Sequence, residues 1–173
     1  MIKALLSHRR IITENSAFAR KLTKLFGKRL ADGRVQLSLI EALYLQERGK
    51  LTVITMAGKK CSFDALTKLA KRGMSDFWTS YVVFRDLNDQ GYIVKTGLKF
   101  GADFRVYTHV KKHAQWIVLP VHERQQISWK EFSAQNRVAH SVNKHLLLAV
   151  VDDDEDVSFW DVAWVRRRNL SVR

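Results

Sequence analysis

Apolar residues recur at helical spacing in stretches that end at Gly49, Gly73 and Gly91, and they gather into short strand-like runs after Gly91. Ile2 to Ile12 is β-prone. Ser38, with Glu41 three residues on, has the form of a capping box ahead of Leu39, Leu43 and Tyr44, and Gly49 stops that helix. Ser62 opens a second helix through Phe63, Leu66 and Leu69 that runs to Gly73. This first part reads as a small α+β unit. Ser75 is the expected cap of a third helix, whose apolar positions Phe77, Trp78, Tyr81, Val82 and Leu87 keep helical spacing until Gly91.

Beyond Gly91 the runs Tyr92 to Val94, Phe104 to Val110 and Trp116 to Val121 read as a meander of strands with short polar connections. Ser128 and Glu131 form another capping box, opening a helix through Phe132 and Val138. Leu146 to Val151 is a buried strand joined across an acidic turn to Val157-Ser158-Phe159-Trp160. One proline and eight scattered glycines leave no low-complexity linker, and there is no internal repeat. The fold class is α+β, with an N-terminal domain over 1–75 and a C-terminal domain over 76–173.

Composition then narrows the partners. A hydrophobic content of 46% over 173 residues is enough for a core, so wholesale disorder is excluded. No apolar run approaches the roughly 18 residues of a membrane span, and His8-Arg9-Arg10 interrupts the N-terminus too early for a secretory signal, so a soluble, cytoplasmic protein is expected. The single cysteine, Cys61, removes an internal disulfide or a multi-cysteine zinc site. The formal net charge is +13, which favours a polyanionic partner such as nucleic acid. Residues 1–75 carry 16 basic and 5 acidic side chains, a net of +11, whereas the remainder is near +2. Much of that difference is the run Asp152-Asp153-Asp154-Glu155-Asp156, for which a solvated turn is the plainest explanation.

Two polar arrangements carry candidate chemistry. Alternation in the Phe104 to Val110 strand puts Arg105, Tyr107 and His109 on one face, with His113 beyond them in a Lys-rich connection. Arg137, His140, Ser141 and Lys144 fall at i, i+3, i+4 and i+7, one polar stripe of the capped helix, and Lys144 immediately precedes the buried strand.

Several segments are similar to the archaeal tRNA-splicing endonuclease family: Tyr81-Val82-Val83-Phe84-Arg85-Asp86-Leu87, Gly91-Tyr92-Ile93-Val94-Lys95-Thr96-Gly97, Phe100-Gly101-Ala102-Asp103-Phe104-Arg105-Val106-Tyr107, Arg137-Val138-Ala139-His140-Ser141-Val142-Asn143-Lys144, and Leu148-Ala149-Val150-Val151-Asp152. The resemblance covers residues 76 to 173 in order, and Glu41-Ala42-Leu43-Tyr44-Leu45 resembles the N-terminal domain of the same family. It implies a C-terminal α/β nuclease domain with a central mixed sheet flanked by helices. It also implies a catalytic Tyr, His and Lys, which fall here on Tyr107, His113 and Lys144. His113 is preferred to His109 because His113-Ala114-Gln115-Trp116-Ile117-Val118 fits the family pattern. By this resemblance the presence of all three implies a catalytic chain; the alternative is a non-catalytic, RNA-binding structural subunit.

By the same resemblance the substrate is precursor tRNA, cut at intron–exon junctions in bulge-helix-bulge RNA, with no metal and no cofactor. Metal-free RNA cleavage needs a group to deprotonate the 2′-hydroxyl, an acid for the leaving 5′-oxygen and a fixed cation for the phosphorane. Histidine suits the acid and lysine the cation. A tyrosine, with an ordinary pKa of about 10, serves as base only where cations such as Lys144 or Arg105 favour its phenolate, so a purely positioning role for Tyr107 stays open.

Arg137 matches the family's clamp for a bulged base, with Trp160 as the aromatic second member or, alternatively, a core residue. Lys59 and Lys60 are candidate phosphate contacts. Asp152 to Asp156 match an acidic loop that enters a basic cleft of a neighbouring chain, which implies a homotetramer or a heterotetramer with a second, structural subunit. The rival assignment of these acids to Mg²⁺ fails on geometry, since consecutive carboxylates of a hairpin diverge.

Overall fold

The computed structural model describes residues 1–96, 104–109 and 113–165. The chain divides into two compact units, Met1–Tyr81 and Val82–Arg173. The division falls inside a helix, α4 by chain order, that spans Phe77–Asp89. No helix among the described residues is long and apolar enough to cross a membrane.

The first unit holds a five-stranded sheet made of β1 (Ile2–Ser7), β2 (Arg10–Thr13), β3 (Lys28–Arg29), β4 (Val35–Leu37) and β5 (Leu51–Ile54). Their order is β3-β4-β2-β1-β5. The β-prone stretch Ile2 to Ile12 is thus an antiparallel hairpin, turning at His8 with φ of 58°. Helices α1 (Ala17–Leu22), α2 (Leu39–Glu47) and α3 (Phe63–Lys71) complete the unit. Ser38 caps α2 as expected: its Oγ accepts from Glu41 N–H, and Glu41 Oε2 accepts from the Ser38 N–H at 2.9 Å. Glu41 is 5% exposed, a position a carboxylate holds only when its oxygens are satisfied. Its Oε1 accepts from Gly27 N–H at 2.8 Å, which ties the turn before β3 to the start of α2. The sequence pattern misses α1, β3, β4 and β5, whose lengths of two to six residues are too short to show a period.

The second unit is built on β6 (Ile93–Thr96), β7 (Phe104–Tyr107), β8 (Trp116–His122), β9 (His145–Val151) and β10 (Val157–Val162), with α5 (Trp129–Ser141) between β8 and β9. The strand order is β10-β9-β8-β7-β6. Neighbours are antiparallel except β8 and β9, which are parallel and therefore need the α5 crossover. The sheet is mixed, and each face has its own apolar layer. Ile117 and Leu146 pack with Ala139 of α5, joined by Leu119, Phe132, Val138, Val142 and Val162. On the other face Phe104 meets Phe84 of α4, ring centroids 5.6 Å apart.

Three local expectations are corrected. The helix expected to be capped by Ser75 begins at Phe77, and the Asp76 carbonyl accepts from Ser80 N–H, so Asp76 stands at the cap position. The strand read as Phe104 to Val110 ends at Tyr107, and Val110 lies outside the described residues, as do Gly97 and the Phe100 to Asp103 segment of the family motif. The stripe Arg137, His140, Ser141, Lys144 is not all helical: α5 stops at Ser141.

Candidate active site

The site follows from which strand ends lie side by side. In the β7–β8 ladder Val106 faces Trp116, and in the β8–β9 ladder Trp116 faces His145. One residue joins the three strands at this end: Gln115 donates its N–H to the Val106 carbonyl at 2.9 Å and accepts from the His145 N–H at 3.1 Å. Tyr107 follows Val106, His113 precedes Gln115 by two residues, and Lys144 precedes His145. Because β7 runs antiparallel to β8 and β9 parallel to it, a C-terminal end and two N-terminal ends coincide. The structure thereby brings all three expected catalytic positions to one end of the sheet. Tyr107 alternates with Phe104 and Val106, so its side chain belongs to the α5 side and is half-buried. His113 is exposed, as is His109 in the bend after β7.

Lys144 is held by the way α5 ends. Asn143 takes a left-handed conformation, φ 55°, its N–H donates to the His140 carbonyl at 3.0 Å, and the Lys144 N–H reaches back to the Ala139 carbonyl at 2.9 Å. Those two bonds are the Schellman pattern, which satisfies carbonyls that a helix C-terminus otherwise leaves open. The same pattern ends α2 at Gly49 and α4 at Gly91, with φ of 65° and 88°. The lysine thus leaves a rigid corner between a capped helix and a buried strand. Its Nζ lies 3.4 Å from the Val142 carbonyl.

The other expected site residues are distributed more widely. Arg137 is exposed on α5, one turn before that corner. Trp160 is 51% exposed on the edge strand β10, so the alternative that places it in the core is set aside. Its position two residues before Val162, which packs under α5, puts it on the same side of the sheet as Arg137. Trp164, which the sequence pattern does not single out, is also exposed and stacks on the His140 ring, centroids 5.0 Å apart and planes within 18°. Lys59 and Lys60 are exposed in the turn after β5, where the Thr55 N–H donates to the Lys59 carbonyl at 2.8 Å.

The acidic run is a tight turn between β9 and β10, and its carboxylates divide in role. Asp152 Oδ1 accepts from the N–H groups of Asp154 and Asp156, at 3.0 and 2.9 Å, and Glu155 sits at φ 65°. Glu155 pairs with Arg85 at 2.8 Å, and Asp153 pairs with Arg124 and lies 3.5 Å from His122 Nε2. Asp153, Asp154 and Asp156 are exposed, while Asp152 and Glu155 are half-buried.

Comparison with known proteins matches this architecture twice. Residues 77–159 fit the family described as tRNA intron endonuclease, catalytic C-terminal domain, and residues 2–67 fit tRNA intron endonuclease, N-terminal domain. Similar proteins named tRNA-splicing endonuclease include that of Thermococcus onnurineus, 44% identical over 142 residues covering 82% of each chain. That of Methanothermobacter thermautotrophicus is 43% identical over 145 residues, 82% of this chain and 83% of its own. The Nanoarchaeum equitans protein is 37% identical over 150 residues, 81% of this chain and 96% of its own. With both domain types matched in order and relatives of this likeness along most of its length, the chain belongs to the tRNA intron endonuclease family.

Proposed function

We propose that the chain is the catalytic subunit of a tRNA-splicing endonuclease, a tRNA-intron lyase that cuts precursor tRNA at intron–exon junctions without a metal. The observation that supports this reading is the meeting of three strand ends through the backbone of Gln115, since Tyr107, His113 and Lys144 stand next to those ends in the sequence. In the proposed reaction the substrate's 2′-hydroxyl gives its proton to the Tyr107 phenolate, or to a water where Tyr107 only positions it, and the 2′-oxygen attacks the adjacent phosphorus. The O2′–P bond forms, the P–O5′ bond breaks, and the departing 5′-oxygen takes a proton from His113. Lys144 stabilises the extra negative charge on the phosphorane, a task suited to a cation fixed before the reaction starts. Tyr107 is the base for the 2′-hydroxyl or holds it in line.

Arg137 and Trp160 would grip a bulged base, both being exposed on one side of the sheet. Lys59 and Lys60 supply phosphate contacts that weaken with salt. A single catalytic set per chain means that removing an intron takes at least two copies. The outward acids of the β9–β10 turn would seat in a basic surface of a neighbouring chain, giving a homotetramer or a heterotetramer with a structural subunit.

The deciding experiment is cleavage of a bulge-helix-bulge precursor tRNA in EDTA with analysis of the ends. A 2′,3′-cyclic phosphate and a 5′-hydroxyl formed at an undiminished rate are expected. A requirement for Mg²⁺ with 3′-hydroxyl products would reject the assignment.

A further inference from the structure

We infer that Asp161, with His145 and Trp116, forms a positioning network that holds Lys144 in register for the reaction. The inference rests on the catalytic assignment of Lys144 above. Asp161 Oδ1 lies 2.8 Å from His145 Nδ1, and Asp161 Oδ2 accepts from Trp116 Nε1–H at 3.1 Å. The three residues stand on three adjacent strands, β10, β9 and β8, and cross-link them at the end where Lys144 enters the sheet. His145 is the first residue of β9, so whatever fixes it fixes the backbone one residue from the lysine.

Alternation places the network on the face away from the substrate. Trp116 pairs with Val106, on the α4 side with Phe104, whereas Tyr107 points to the α5 side. Asp161 and His145 share the face of Trp116, since Trp116 faces His145 and Asp161 faces Leu147. The carboxylate is thus a support under the site and not a group that touches the scissile phosphate. Trp116 is itself braced by Tyr92, whose ring meets it edge-on at 6.1 Å. Tyr92 follows Gly91 at the Schellman end of α4, so the brace reaches a second rigid corner. Two hydrogen bonds spread over three strands, added to the ladder, hold β9 in one register, and a cation one strand position out of place would miss its phosphate.

The test is single-turnover cleavage by the full chain in its assembled form, with Asp161→Ala, Asp161→Asn and Trp116→Phe, each also in a Lys144→Ala background. Asparagine keeps an acceptor for Trp116 Nε1–H and a donor for His145 Nδ1, so D161N should stay within about threefold of wild type while D161A loses roughly 10- to 100-fold in rate with unchanged RNA affinity. Trp116→Phe keeps the packing, removes one donor and should fall between them. In the K144A background the Asp161→Ala loss should disappear, because residues that act through one group are not additive. An equal loss in both backgrounds, or a D161A rate equal to wild type, overturns the network. Failure of the catalytic reading looks different: K144A itself would then cleave at the wild-type rate.

Discussion

At the scale of single residues the site depends on positions that composition does not distinguish from surface. His113 is exposed and stands two residues before Gln115, whose backbone joins β7 to β9. As the proposed acid it holds a transferable proton without carrying the substrate's weight. Replacing it with Ala should therefore slow cleavage by roughly 10² to 10⁴-fold and leave RNA binding largely intact. Rate and binding are separable by single-turnover kinetics beside a filter-binding titration; equal losses in both would make His113 a phosphate contact instead. His109→Ala, at the neighbouring bend, should cost little.

Asn143 illustrates why part of the site could not be read beforehand. Gly49 and Gly91 advertise helix ends because glycine favours positive φ, and both were legible as stops. Asn143 does the same task with an ordinary polar side chain, so helical spacing continues past the true end and carries Lys144 into a stripe it does not belong to. Lys144 does stand immediately before the buried strand β9, but beyond the end of the helix and not on its face.

At the scale of elements, α5 does most to locate the site, because it is the crossover between the parallel strands β8 and β9 and delivers Arg137 and then Lys144. Its start is set by Ser128, whose N–H and Oγ–H donate to Glu131 Oε2 at 2.9 and 2.8 Å. Those bonds hold the Glu131 carboxyl below its ordinary value of 4.5. A carboxyl whose pKa is lowered on folding adds stability above its unfolded value and loses it as pH falls through the folded value. Stability contributed by this cap is therefore complete above about pH 4.5 and lost on further acidification. Glu131→Gln, which removes the titrating carboxyl, should flatten that part of a thermal-melting-versus-pH profile between pH 5 and pH 2, and an unchanged profile would remove the cap from the account.

The helices with capping boxes and the longer strands were legible because their patterns run for many residues. The strands between Lys28 and Leu37 were not, because β4 exists through pairing with β2, β3 through pairing with β4, and the turn before β3 through Glu41 reaching back to Gly27. Such tertiary contacts leave no trace in local spacing.

At the scale of the whole molecule, charge is divided between a first part near +11 and a second part with a concentrated acidic turn. The turn is more internally engaged than its sequence implies: Asp152 shapes it, and Asp153 and Glu155 are paired within the chain. The proposed docking charge is therefore concentrated on Asp154 and Asp156. Converting those two to Asn should leave the fold intact, shift the protein to smaller, salt-sensitive assemblies, and reduce cleavage with Tyr107, His113 and Lys144 untouched. Sedimentation and a cleavage assay read this directly, and a full-size, active assembly would return the run to a solvated turn. Asp152→Ala should act differently, loosening the turn itself.

The parallel pairing of β8 with β9 also sets an order of events during synthesis. A chain emerging from the ribosome delivers β7 and β8 first, so Tyr107 and His113 can become neighbours through a short local connection. Lys144 arrives only after α5 has been made, and it is seated only when β9 closes against β8 and β10 folds back to supply Asp161. The proposed nuclease therefore stays unarmed among the RNAs of the translation machinery until β9 and β10 are in place. A transcript cut short within α5 would lack Lys144 and so could not yield an uncontrolled ribonuclease of the proposed kind.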